Sequence, residues 1–162
     1  TIINRVDRTS DVRFDCTVNP YRGCEHGCIY CYARPNHAYV GLSAGRDFET
    51  RLFVKPDAPR LLAEELAEPG YRCSPLVIGT ATDAYQPIER QWRVTRGILE
   101  VLHRSHHPLA IITKSSLIER DLDLLAPMAE HGLAAVYVTI TTADAALARA
   151  WEPRASAPWR RL

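Results

Sequence analysis

Along the 162-residue chain, apolar residues come first in alternation and then in runs separated by amphipathic stretches. In VRFDCTVNPYRG, Phe14, Cys16 and Val18 share one face, which predicts a strand stopping at Asn19-Pro20. FETRLFVK, residues 48–55, reads as a short extra strand. APRLLAEELAEPG predicts a helix closed by Pro69-Gly70. PLVIGTATD predicts an apolar strand with a polar end. PIERQWRVTRGILEVLHRS predicts one helix, with Pro87 near its first turn and Ile88, Trp92, Leu99 and Leu102 on one face. LAIITKSS is a further strand. LIERDLDLLAPMAEHG is a helix with Ile118, Leu122 and Leu125 inward and Gly132 as its stop. AAVYVTITTAD is a last strand, and ADAALARAWE begins another helix.

Alternating strands and helices, with apolar strands, predict an α/β fold built on a parallel sheet. Its crossovers should be right-handed. Four βα units are too few for a closed eight-stranded barrel. An open or partial barrel fits best, and a doubly wound sheet comes second. The chain opens at Thr1 and ends on EPRASAPWRRL. It therefore reads as a single domain over 1–162 that is the N-terminal portion of a longer barrel. Its last strand would leave an edge for the remainder to cover.

Each predicted strand ends in polar groups: Thr80, Thr82 and Asp83; Thr113, Lys114 and Ser115; Thr139, Thr141 and Thr142. Parallel strands put these ends on one face, where α/β folds bind ligands. Helix capping accounts for some of them, with Thr142 or Asp144 as examples. It does not account for Lys114, because the helix dipole disfavours a cation at an N-terminus. Lys114 reads as a partner for an anion.

Charge adds little. The net value is +1 and the pI about 7.7, so no strong electrostatic footprint for nucleic acid appears. No 18-residue apolar run predicts a membrane span, and no signal segment opens the chain. The five cysteines are odd in number and clustered, which points to a reducing cytoplasm rather than a secreted disulfide framework. HRSHH, with His103, His106 and His107, reads as a histidine-rich helix end on the face opposite the polar strand ends. Arg154, Arg160 and Arg161 are either a solvated end or contacts for a substrate phosphate.

The densest chemistry lies in YRGCEHGCIYCYARP, which holds Cys24, Cys28 and Cys31. Thiolates are soft ligands for iron–sulfur clusters and zinc. Three cysteines on a four-iron cluster leave one iron open, and an open position marks a catalytic metal. Gly23 and Gly27 would let the loop turn tightly. Three other readings stand beside this one. The cysteines could be one face of a buried helix. They could bind zinc, with Cys16, His26 or His37 as a fourth ligand. They could hold an electron-transfer cluster completed by Cys16 or Cys73.

Cys24-x3-Cys28-x2-Cys31, with Tyr30 before the last cysteine, resembles the signature of the radical S-adenosylmethionine (SAM) superfamily. NPYRGCEHGCIYCYARP, GTATDAYQPIE, ITKSSLIERDLDLLAP and EPRASAPWRRL resemble its spore photoproduct lyase-like branch, also labelled DNA repair photolyase-like. The resemblance implies a partial (β/α)6 TIM-like barrel, of which about the first four βα units are present. It implies a [4Fe-4S] cluster on Cys24, Cys28 and Cys31, with SAM on the open iron. Reductive cleavage of SAM would give a 5'-deoxyadenosyl radical that abstracts hydrogen from an unidentified substrate, with nucleic acid among the candidates. A flavodoxin- or ferredoxin-type reductant would supply the electron.

The resemblance further places Tyr30 near the adenine and Thr80, Thr82 and Asp83 near the SAM amino group. Lys114 and Ser115 match an element contacting SAM's polar groups, and Thr139 and Thr141 fall where ribose is bound. Tyr30 and Tyr32 match tyrosines of a radical relay in that branch. Thr80 stands where the lyase carries a hydrogen-donating cysteine, and an O–H bond is much harder to break homolytically than S–H. A non-catalytic iron–sulfur or zinc module for electron transfer or binding is the alternative.

Overall fold

The computed structural model describes residues 1–6 and 14–162. Val12 and Arg13, the start of the first predicted strand, lie outside the described residues. The main sheet has five strands: β1 (Asn4–Arg5), β2 (Cys16–Val18), β5 (Leu76–Ile78), β6 (Leu109–Thr113) and β7 (Ala134–Val138). Their order is β1-β2-β5-β6-β7. β1 runs antiparallel to β2, and the other four are parallel. The parallel α/β fold is thus as the alternation predicts. The parallel strands follow one another in chain order with no reversal, unlike the doubly wound alternative.

Burial explains the strand sequences. Cys16, Thr17 and Val18 are all buried, as are Leu76, Val77 and Ile78, because both faces of these strands are covered. β6 alternates instead: Leu109, Ile111 and Thr113 are buried, while Ala110 and Ile112 are half-buried. Against this sheet pack α2 (Ala58–Leu66), α4 (Val94–Arg104) and α5 (Leu122–Glu130). Leu62, Ile98, Leu99, Leu102, Leu125 and Met128 form one core with Leu76, Ile78 and Ile111. β7 is the exposed margin, with Val136, Tyr137 and Val138 open to solvent.

Three local readings need correction. FETRLFVK is only half strand: Phe48 lies in α1 (Asp47–Thr50), and β4 is Phe53–Val54. β4 pairs antiparallel with β3 (Tyr21–Arg22), outside the main sheet, and this ribbon leads into the cysteine loop.

The single helix expected from Pro87 is broken. α3 (Glu89–Trp92) ends at Arg93, whose φ is +51°, and α4 restarts at Val94. The cause is Glu89. Its fully buried carboxylate accepts hydrogen bonds from Thr95 N (2.9 Å) and Arg96 N (3.2 Å), closing the start of α4. Tyr21 and Arg120 also donate to it. The break turns Trp92 outward, so it is not a core residue.

The third helix begins with a 3-10 segment, Ser116–Asp121. Buried Asp121, held by Arg96, Arg120 and the Tyr85 hydroxyl, fixes that turn. Ile118 and Leu125 face inward as read, but Leu122 is exposed.

Candidate functional site

The cysteine loop leaves β3 at Gly23, whose φ is +84°. A Cβ there would meet the Phe48 carbonyl at 2.8 Å, so α1 packs directly against the loop backbone. Cys24 N donates to that carbonyl at 2.9 Å. Turns, not a helix, carry residues 24–31, which removes the buried-helix reading. Cys24 is buried; Cys28 and Cys31 are half-buried. All three line one cavity of about 120 Å³. Burial pushes the Cys24 and Cys28 thiols up, and the Lys114 charge opposes this at Cys28.

The facing wall comes from the ends of β5 and β6, through Gly79, Thr80, Thr82, Asp83, Thr113 and Lys114, joined by Thr139 after β7. Gly79 has φ +89°, and a Cβ there would lie 2.6 Å from the Ile112 carbonyl. Asp83 binds this wall together. Its carboxylate accepts from Tyr85 N (2.8 Å), the Thr113 hydroxyl (2.7 Å) and Lys114 N (2.7 Å). The His26 Nδ1 lies 3.3 Å from it. Burial would raise the Asp83 carboxyl, but His26 and these hydrogen bonds hold it down to about 2.

Thr82 donates to the Gly23 carbonyl at 2.6 Å and receives a hydrogen bond from Gln86. Ser115 caps the 3-10 segment through Leu117 N. Asp144 caps α6 (Ala145–Trp151) through Ala146 N and Leu147 N. Thr80 lines the cavity, its hydroxyl tied to Asn19. Lys114 makes no ion pair among the described residues.

The two tyrosines occupy different edges. Tyr32 is largely exposed, and its hydroxyl donates to the Thr80 carbonyl. Tyr30 lies under Lys114, with Nζ 5.8 Å from the ring centroid, and edge-on to Trp151. Its hydroxyl reaches Glu152 and lies 3.0 Å from the Thr141 hydroxyl. Glu152 is buried, accepts from Thr141 at 2.7 Å, and pairs with buried Arg161 at 2.6 Å.

Glu152 was not legible as a site residue: it closes ADAALARAWE and opens EPRASAPWRRL, and neither stretch gives it a partner. Arg161 is no solvated end: it also donates to the Ser156 and Thr139 carbonyls. Arg154 donates to the Glu25 carbonyl and pairs with Glu49. Arg34 grips the same Glu49 at 2.5 Å and donates to the Cys28 carbonyl. The segment after α6 therefore holds the cysteine loop from outside, reinforced by Ile29 N donating to the Trp151 carbonyl at 3.0 Å.

Of the other metal candidates, His26 lines the same cavity, where its Nδ1 faces Asp83; the rest stand apart. Cys16 is buried in β2, and Cys73 is exposed ahead of β5; neither lines the cavity. His37 is buried between Phe48 and Phe53, with Nε2 donating to the Arg51 carbonyl. Its Nδ1 has no hydrogen-bond partner among the described residues. Of the histidines in HRSHH, His107 is buried and within hydrogen-bonding distance (2.6 Å) of the Tyr71 hydroxyl, so that stretch is not wholly a surface feature.

The donor set fits an iron–sulfur cluster. Three thiols line one cavity, yet no three Cys, His, Asp or Glu side chains among the described residues converge as a single-ion site. A cubane needs its cysteines on separate irons rather than on one point.

Comparison with known proteins shows the family. The chain is 39% identical over 160 residues to the uncharacterized protein Rv2578c of Mycobacterium tuberculosis, covering 99% of this chain and 47% of that protein. It is 32% identical over 107 residues to the uncharacterized protein MJ0683 of Methanocaldococcus jannaschii, covering 66% of this chain and 38% of that one. The chain thus spans about half the length of the curated relative it matches over nearly its whole length. Among solved structures, its fold is similar to spore photoproduct lyase complexed with dinucleoside spore photoproduct. The TM-score is 0.64 and the identity 16%, covering 94% of this chain and 41% of that one. Residues 18–162 match the Radical SAM superfamily, and the chain belongs to that family.

Proposed function

We propose that this chain is the cluster- and SAM-binding core of a radical SAM enzyme. The observation that carries the reading is the shared cavity of Cys24, Cys28, Cys31 and Lys114. Three thiolates would hold three irons of a [4Fe-4S] cluster and leave the fourth to the amino and carboxylate groups of SAM. When bound, the cluster would supply the electron for reductive cleavage of SAM, the source of a 5'-deoxyadenosyl radical for hydrogen abstraction.

The chain's own residues bind and orient. Lys114 meets the SAM carboxylate with a charge that no carboxylate among the described residues takes up. Thr80 and Thr139 offer hydroxyls on the cavity wall, toward the amino group and the ribose. Tyr30, beside Lys114 at the margin of the cavity, is the aromatic group for the adenine. Asp83 and His26 set the direction of Lys114 by fixing its backbone, and Thr82, Ser115 and Thr141 hold the wall behind them. Tyr32 is the aromatic group between this cavity and the outside, placed for substrate contact or radical relay.

The unidirectional strand order supports a partial (β/α)6 barrel of which 1–162 is the N-terminal portion. The reductant would be a flavodoxin- or ferredoxin-type protein in the cytoplasm. No helix among the described residues is long and apolar enough to cross a membrane. Nucleic acid is a candidate substrate because the lyase neighbour binds a dinucleoside photoproduct.

The test is anaerobic reconstitution with iron and sulfide, then dithionite and SAM. The expected result is about four irons per chain and formation of 5'-deoxyadenosine. One zinc and no iron, or an intact cluster that never yields 5'-deoxyadenosine, overturns the reading.

A further inference from the structure

A second groove, of about 420 Å³, lies against the cysteine cavity and shares Tyr32, Thr80 and Ala81 with it. Its distinguishing residues are Arg22 and Lys55. Arg22 ends β3 and pairs with Phe53; Lys55 follows β4, its N–H donating to the Pro20 carbonyl at 3.1 Å. The ribbon therefore puts two cations on one face at diagonal positions. Both are half-buried, and neither makes an ion pair among the described residues. No acidic side chain is among the groove's described lining residues. Burial and the Arg22 charge both push the Lys55 ammonium down.

Two half-buried like charges with no counter-charge among the described residues cost stability, and a bound anion relieves that cost. Tyr32 and Tyr39 add exposed rings at the same groove, 78% and 86% accessible. Exposed aromatic faces beside paired cations suit a planar ring joined to a phosphate.

We infer that Arg22 and Lys55 form a phosphate subsite, with Tyr32 and Tyr39 receiving the attached ring, so that the groove takes a nucleotide unit of the substrate. That the bound nucleotide belongs to the substrate rests on the radical SAM reading; the binding itself does not. The wall of Tyr32, Thr80 and Ala81 puts the held group next to the cysteine cavity.

The test is calorimetric titration of the anaerobically reconstituted protein, without SAM or reductant. The probes are thymidine, thymidine 5'-monophosphate and a single-stranded thymidine pentanucleotide. The monophosphate should bind at least about tenfold tighter than thymidine, and Lys55→Gln or Arg22→Gln should remove about that factor while circular dichroism is unchanged. A tighter pentanucleotide with a steep salt dependence identifies a strand as the source of the phosphate; equal affinity identifies a free nucleotide. Equal affinity for thymidine and its monophosphate, or affinities unmoved in both variants, overturns the subsite. Failure of SAM cleavage in the unaltered protein leaves it standing, so the two readings fail separately.

Discussion

The Lys114 ammonium lies 5.8 Å from the centre of the Tyr30 ring, joining the end of β6 to the cysteine loop across the cavity. The Lys114 ammonium has no carboxylate partner among the described residues: Asp83 accepts from the Lys114 backbone N–H, and Glu152 pairs with Arg161. Lys114→Ala should therefore weaken SAM binding by about tenfold or more, the worth of one charge-assisted hydrogen bond. Iron content should stay as in the unaltered protein. Calorimetry of the reconstituted protein measures both sides of this, and unchanged SAM affinity would remove the role given to Lys114.

Cluster occupancy should divide the five cysteines into two groups. Cys24→Ala, Cys28→Ala and Cys31→Ala should each lose the brown chromophore and most of the iron after anaerobic reconstitution. Cys73→Ser should keep both, since that residue is exposed and outside the cavity. Iron analysis with visible absorption reads the outcome.

Glu152 should matter to stability as well as to the site. Burial would raise its carboxyl, but hydrogen bonds from Tyr30, Thr141 and Arg161 outweigh this and hold it below the usual carboxylate range. Glu152→Gln leaves Arg161 buried beside a neutral group, at a cost of about 3–5 kcal/mol. A group with a depressed folded pKa stabilises fully above its unfolded value, about 4.3 for glutamate, and loses that contribution as pH falls through the lower folded value. The difference in urea midpoint between the two proteins should thus be full at neutral pH and shrink progressively below about pH 4.

Asp83→Asn should destabilise the protein by about 1–3 kcal/mol, because an amide cannot accept from Tyr85 N, Thr113 and Lys114 N together. SAM affinity should fall with it, through the displaced Lys114 backbone. An Asn variant with unchanged thermal midpoint and SAM affinity would show that Asp83 positions nothing.

The fold was legible where the residues carry their own period. The apolar runs Leu76–Ile78 and Leu109–Ile112, each followed by a helix, allow little besides parallel strands. The helix break at Arg93 was not legible, since Glu89 caps the next helix only once Tyr21 and Arg120 have been brought to it from distant parts of the chain. Within the site, spacing alone singled out Cys24, Cys28 and Cys31, and chemistry alone singled out Lys114. The outer support of Arg34, Glu49, Arg154, Glu152 and Arg161 stayed hidden, because the fold alone brings Arg154 to Glu25 and Glu49, 129 and 105 positions away. An arginine on a surface and an arginine gripping a loop carbonyl look the same in sequence.

The central claim is that three cysteines leave one iron for SAM. Electron–nuclear double resonance on the reduced, reconstituted protein tests it, with SAM labelled with 15N at the methionine amino group and 17O at the carboxylate. Hyperfine coupling of both labels to the cluster is expected in the unaltered protein. A fully formed cluster whose spectrum shows neither coupling at saturating SAM would contradict it.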